Sequence, residues 1–93
     1  MSSPIPVNHN VAGHTFEVTV DGHRAVCDYT FADGKMVFTH TFVPSELRGR
    51  GLAELLVRAG LAEARASGRK VEPACSYVAT FIQRNKEFQD LLG

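Results

Sequence analysis

Arg48-Gly49-Arg50-Gly51-Leu52-Ala53 joins a strand that closes at Val43-Pro44 to an amphipathic helix. The first amides of a helix have no intrahelical acceptor, and the helix dipole places about half a positive charge beside them. A phosphate seated there accepts bonds that water would otherwise supply. Gly49 and Gly51 let the backbone approach such a group closely, and Arg48 and Arg50 offer charge-assisted donors. The stretch therefore reads either as a pyrophosphate cradle or as a glycine-containing helix start without a ligand.

Two familiar phosphate loops do not fit these residues. A Walker A loop needs Gly-Lys followed by Ser or Thr, and a dinucleotide fingerprint needs a third small residue where this chain has Glu54. What remains is Arg-x-x-Gly-x-Ala over residues 48–53.

On the N-terminal side of the loop, Thr15 to Val20 alternates apolar and polar residues, and Asp21-Gly22 supplies a hairpin turn into a second strand from His23 to Phe31. Asp33-Gly34 repeats the device and leads into a third strand, Lys35 to Val43, which Pro44 ends. An antiparallel three-stranded meander follows. Residues 1–12 hold two prolines and no apolar period, and read as a flexible N-terminal arm ahead of a single domain over 13–93.

On the C-terminal side, Leu52, Leu55, Leu56, Ala59, Ala62 and Ala66 mark the apolar face of a helix of about four turns that Gly68 ends. Lys70 to Ser76 reads as a fourth strand interrupted by Pro73, and a right-handed helical crossover makes it parallel to the third. Tyr77 to Asn85 and Lys86 to Leu92 read as two short helical pieces.

The 93 residues carry ten basic and ten acidic side chains, a balance that argues against nucleic-acid binding, which depends on phosphate neutralisation. Two basic and four acidic groups fall in residues 1–43 and eight and six in 44–93, so the half containing the glycine loop is the basic one. No apolar run approaches the ~20 residues of a membrane span, and the opening Met-Ser-Ser-Pro-Ile-Pro has no signal-peptide pattern. We expect a cytoplasmic protein without membrane partners, a monomer or weak dimer. Cys27 and Cys75 read as free thiols, and the four histidines show no metal-ligand spacing with them.

The loop at 48–53 matches the acetyl-CoA signature of the GNAT superfamily of N-acetyltransferases. Together with Val37-Phe38-Thr39-His40-Thr41-Phe42-Val43-Pro44 and Pro73-Ala74-Cys75-Ser76-Tyr77-Val78, it resembles the short, minimal GNAT-like subfamily. The resemblance runs from about residue 14 to the end. It implies an α+β fold of the three-layer α/β type, the GNAT-like acyl-CoA N-acyltransferase fold: a mostly antiparallel sheet with a parallel splayed pair and helices packed on it. It also implies acetyl-CoA as co-substrate, an unidentified amine as acceptor, and no metal. The strand backbone at Phe42 and Val43 would pair with pantetheine, and the amides of Arg48, Gly49, Arg50, Gly51, Leu52 and Ala53 would hold pyrophosphate. Asn85 stands where many relatives set a polar helix residue against the pantetheine arm, or else it is a helix C-cap. The N-terminal helices that help form the acceptor site in longer members have no counterpart in this sequence.

Two residues are candidates for the chemistry. His40 lies on the third strand, on the face of Phe38 and Phe42 by period two, where it serves either as the base that takes the amine proton or as a half-buried structural histidine. Thr41, on the opposite face, is expected to be structural. Cys75 ends the fourth strand where the pair splays; it is a proton donor to the leaving thiolate, an acyl-accepting nucleophile, or a packed thiol. Cys27 and Tyr77 are expected to pack. The functional expectation is direct acetyl transfer within a ternary complex; alternatively, the domain binds or senses acyl-CoA without turnover.

Overall fold

The computed structural model describes residues 6–93. Five strands form one sheet in the order β1-β2-β3-β4-β5: β1 (Asn8–Asn10), β2 (Thr15–Val20), β3 (His23–Ala32), β4 (Lys35–Phe42) and β5 (Val71–Pro73). All pairs are antiparallel except β4 with β5. The β2–β3 and β3–β4 turns are the two Asp-Gly pairs. In each pair both residues have positive φ, the geometry that matches the twist of a two-residue hairpin.

The N-terminal arm expected over 1–12 is in part a strand. Residues 1–5 lie outside the described residues, but Asn8–Asn10 pairs with Glu17, Phe16 and Thr15 of β2. Its sequence, Asn-His-Asn, carries no apolar alternation. It is held instead by the His9 ring, which stacks on Phe16 at 4.1 Å and bonds the Tyr29 hydroxyl at 2.7 Å, and by Asn8 Nδ2 donating to Glu17 Oε1 at 3.1 Å.

Helix α1 (Leu52–Ala66) crosses from β4 to β5 and buries Leu52, Leu56, Val57, Gly60, Leu61 and Ala64. The buried stripe is rotated from the one the sequence suggested: Ala62 and Ala66 face solvent, and Val57, Leu61 and Ala64 turn inward. Alanine is small enough to sit on either side, so the larger leucines and Val57 set the rotation, since they gain most from burial. At Gly60 the helix lies so close to the sheet that a Cβ would come within 2.6 Å of the Phe38 ring.

β5 is shorter than expected. Pro73 has no N–H to extend a ladder, and after Cys75 N donates to Phe38 O at 2.8 Å the chain turns into α2 (Ser76–Arg84), followed by a 3-10 segment, Lys86–Leu91. Cys75 is thus the N-cap of α2 and not the end of the strand. The buried residues of α1 and α2 share one cluster with Phe16, Val18, Ala25, Cys27, Tyr29, Met36 and Phe38. Val26 and Val37, buried on the other face of the sheet, stand outside that cluster.

Candidate functional site

Two local features open the sheet between β4 and β5. The first is a bulge. Asp28 pairs with His40 while the next residue of β3, Tyr29, pairs with Phe38, which leaves Thr39 as an extra residue on β4. A single inserted residue exchanges the faces of everything beyond it. Phe38 points to the helical side with Tyr29, and so does Thr41 with its partner Cys27; His40 and Phe42 point to the other side, where their rings stack at 6.4 Å. The expectation that His40 shares the face of Phe38 and that Thr41 lies opposite is therefore reversed, because period two does not survive the bulge.

The second feature is the early end of β5. Pairing with β4 runs only from Met36 to Phe38, so the backbone from Thr39 to Phe42 has β3 on one side and no strand on the other. Amide and carbonyl groups there are available to an extended ligand.

The chain then passes through a short 3-10 turn, Ser45–Leu47, pinned by fully buried Leu47, into the glycine loop. Gly49 and Gly51 adopt φ of 82° and 74°, and a Cβ on either would meet nothing within 4 Å. The left-handed backbone is what aims the loop at the helix start, and the space above it is open. The first amides of α1, at Leu52, Ala53 and Glu54, have no acceptor among the described residues; the helical ladder begins with Leu55 N donating to Gly51 O at 3.1 Å. A groove of about 270 Å³ lies here, lined by Val43, Leu47, Arg48, Gly49, Gly51, Leu52, Ala53, Glu54 and Tyr77. A second groove of about 170 Å³, bounded by Glu54, Tyr77, Thr80, Phe81, Arg84 and Asn85, shares Glu54 and Tyr77 with the first. The glycine loop, the amides at the helix start and the open space above them fit an anionic group such as a phosphate.

Among the expected ligand contacts, Val43, Arg48, Gly49, Gly51, Leu52 and Ala53 line the first groove. Arg48 donates from Nε to Val43 O at 3.3 Å, which ties the loop to the end of β4. The Arg50 side chain turns aside to Asp21, 3.6 Å away, and Phe42 presents only its backbone, its ring lying on the far face. Asn85 borders the second groove, with its side chain donating to Phe81 O at 2.8 Å as a cap of α2. It does so at φ −122°, so capping here uses the side chain and not a left-handed backbone.

Cys75 and Thr41 meet on the helical side of the opening, Oγ1 to Sγ 3.5 Å. Burial pushes the Cys75 thiol up, but the Thr41 hydroxyl and the amides of Val78, Tyr77 and Thr41 outweigh it, and the thiol ionises below its ordinary range. Cys27, wholly buried, is pushed up to about 11 by desolvation. His40 is exposed and does not meet Cys75, since the two occupy opposite faces. Sequence reasoning missed Thr41 and the joint role of Tyr77 and Glu54 in the grooves. The Asp-Tyr pair at residues 28–29 of β3, where polar and core residues alternate against β4 in changed register, gives no sign of a bulge from sequence alone. Tyr77 stays protonated, raised by partial burial and by the charge of Glu54.

Comparisons with known proteins bear on the family and the fold. The family model described as GCN5-related N-acetyl-transferase matches residues 15–91. Protein NATD1 of Xenopus tropicalis is 33% identical over 87 residues, covering 90% of this chain and 80% of that protein. Protein NATD1 of Homo sapiens is 33% identical over 85 residues, covering 88% and 75%. The solution structure of a GCN5-like putative N-acetyltransferase from Staphylococcus aureus superposes with a TM-score of 0.76 over 99% of this chain and 91% of that one, at 24% identity.

Proposed function

Since the chain belongs to the GCN5-related N-acetyl-transferase family, we propose that it is an acetyl-CoA-dependent N-acetyltransferase that moves the acetyl group directly to an amine. The observation that carries this reading is the groove at the start of α1, lined by Val43 directly after the unpaired end of β4. Acetyl-CoA supplies a thioester, whose carbonyl carbon is open to attack by a neutral amine. The chain's own residues divide the remaining work. The backbone at Phe42, the last residue of β4, and at Val43 just beyond it aligns the pantetheine arm, while the amides from Gly49 into the first turn of α1 hold the pyrophosphate with the Arg48 guanidinium, the Arg48 amide itself donating to Ser45 O at 3.3 Å. Asn85 and Tyr77 border the path beyond.

Alignment of the two reactants is the main source of acceleration, since well-oriented pairs gain on the order of 7–11 kcal/mol over free encounter. His40, exposed on the face of the sheet away from the helices, is available to take a proton from an amine arriving on that side. Cys75, on the helical side, is available to return a proton to the departing sulfur. No helix among the described residues is long and apolar enough to cross a membrane.

The test is turnover. Free CoA released from acetyl-CoA, measured against a panel of primary amines and lysine peptides, should exceed release without an amine. Saturable CoA binding with no release above background for any amine overturns catalysis and leaves a domain that binds or senses acyl-CoA.

A further inference from the structure

Thr41 stands between the two cysteines of the chain. Its Oγ1 lies 3.7 Å from Cys27 Sγ, in the geometry of a donor, and 3.5 Å from Cys75 Sγ, where either atom can donate. A hydroxyl has one proton and two lone pairs, so it donates to one sulfur at a time. We infer that Thr41 is a positioning residue for Cys75, which shares its one hydroxyl proton between the two sulfurs so that negative charge forms on Cys75 and never on Cys27. The inference rests on the acetyl-transfer reading for its catalytic meaning, but the state of the thiol is measurable in the protein alone.

The arrangement works as follows. While Cys75 is a thiol, it donates to Thr41, and Thr41 donates to Cys27. When Cys75 gives its proton to a departing sulfur, the S–H bonding pair stays on Cys75 as a thiolate. The Thr41 hydroxyl then rotates to donate to that thiolate and withdraws its proton from Cys27 Sγ. The proton released by the amine nitrogen on amide formation reaches Cys75 through solvent and restores the thiol, so the sum is amine plus thioester giving amide plus thiol.

The asymmetry has a physical basis. Cys27 is fully buried, and besides desolvation the charges of Cys75 and Asp28 oppose its ionisation. Cys75 is only half-buried and caps α2, where the amides of Tyr77 and Val78 approach its sulfur; the Thr41 amide approaches it from the unpaired edge of β4. The titratable groups that bear on the pair are Asp28 of β3 beside Cys27 and Tyr77 on the first turn of α2 beside Cys75, the latter held protonated. His40 faces away across the sheet.

Alkylation by iodoacetamide as a function of pH, with the adduct located by mass spectrometry, reads the Cys75 thiolate in the folded protein, because Cys27 is inaccessible. Thr41→Val should move the profile to higher pH and slow alkylation of Cys75 at pH 7.5 by about threefold to tenfold, tenfold being one pKa unit. Thr41→Ser should restore it. Cys27→Ala should leave the rate unchanged or raise it, since the hydroxyl then has a single sulfur to serve. The inference is overturned if Thr41→Val superimposes on wild type, or if Cys27→Ala slows Cys75 as much as Thr41→Val does. Thr41→Ala removes the hydroxyl with less bulk should the valine variant fail to fold. A hydroxyl-dependent thiol without turnover on any amine keeps the role of Thr41 and removes the acetyl-transfer reading; turnover with an unaltered thiol does the reverse.

Discussion

Phe38 and His40 are two residues apart on one strand, yet they occupy opposite faces of the sheet, because Thr39 between them is bulged out of the β3–β4 ladder. One extra residue thereby gives β4 two outlooks. Towards its start it feeds the core through Met36 and Phe38; towards its end it offers Thr41 to the helical side and His40 to the other.

That division makes His40 separable from ligand binding. His40→Ala should lower acetyl transfer at neutral pH by about tenfold to a thousandfold, within or just below the usual range for general-base assistance, with CoA affinity nearly unchanged. Part of the loss should return at higher pH, where the amine loses its proton unaided. Rate profiles of wild type and variant that coincide from pH 6 to 9 would leave His40 without a catalytic role.

Gly51 begins α1 at φ 74° with open space where a side chain would stand. Gly51→Asp puts a carboxylate beside the amides meant for pyrophosphate and strains the backbone as well. CoA at a hundred times its dissociation constant should stabilise the wild-type protein by about 2.7 kcal/mol, seen as a raised Tm. The folded variant should show no such shift; an equal shift in both would remove the loop from the binding site.

Cys75→Ala should retain CoA binding and measurable turnover, with a loss of about tenfold, as expected for one proton donor that solvent can partly replace. Wild-type protein held with acetyl-CoA and no amine should carry no stoichiometric acetyl group on Cys75. A quantitative adduct that an added amine discharges would replace direct transfer with a ping-pong route.

Gly60 tests the packing of α1 on the sheet. In an exposed helix Gly→Ala gains up to about 1 kcal/mol from propensity alone. Here the new methyl would lie 2.6 Å from Cε1 of the fully buried Phe38 ring, and overpacking of that kind costs about 1–3 kcal/mol. The net should be destabilising, with Tm lowered by about 4–8 °C for each kcal/mol lost. A Tm equal to or above wild type would mean that the ring moves aside freely.

Much of the fold was legible because its signals are local. Asp21-Gly22 and Asp33-Gly34 set the hairpins, alternation gave β2 and β3, and Gly51 and Gly68 bracket α1 closely. β1 was not legible, since three residues held by one histidine ring leave no period. Nor was the bulge, since neither Thr39 nor its neighbours differ in composition from a regular strand. The site followed the same rule. The phosphate loop is a contiguous motif and could be read directly, whereas the meeting of Thr41, Cys27 and Cys75 depends on three separate elements and on the face exchange at Thr39.

Pro73 and the Thr39 bulge also have a kinetic consequence. Pro73 lacks the N–H that would carry the ladder on, and the bulge lies within the β3–β4 pairing, so the chain's own backbone parts β4 from β5. A ligand that threads between them finds its seat already built and pays no cost to pry strands apart. Association should then be a single bimolecular step, its observed rate rising in proportion to ligand concentration without levelling off, and differences in affinity among ligands should appear in how long each one stays.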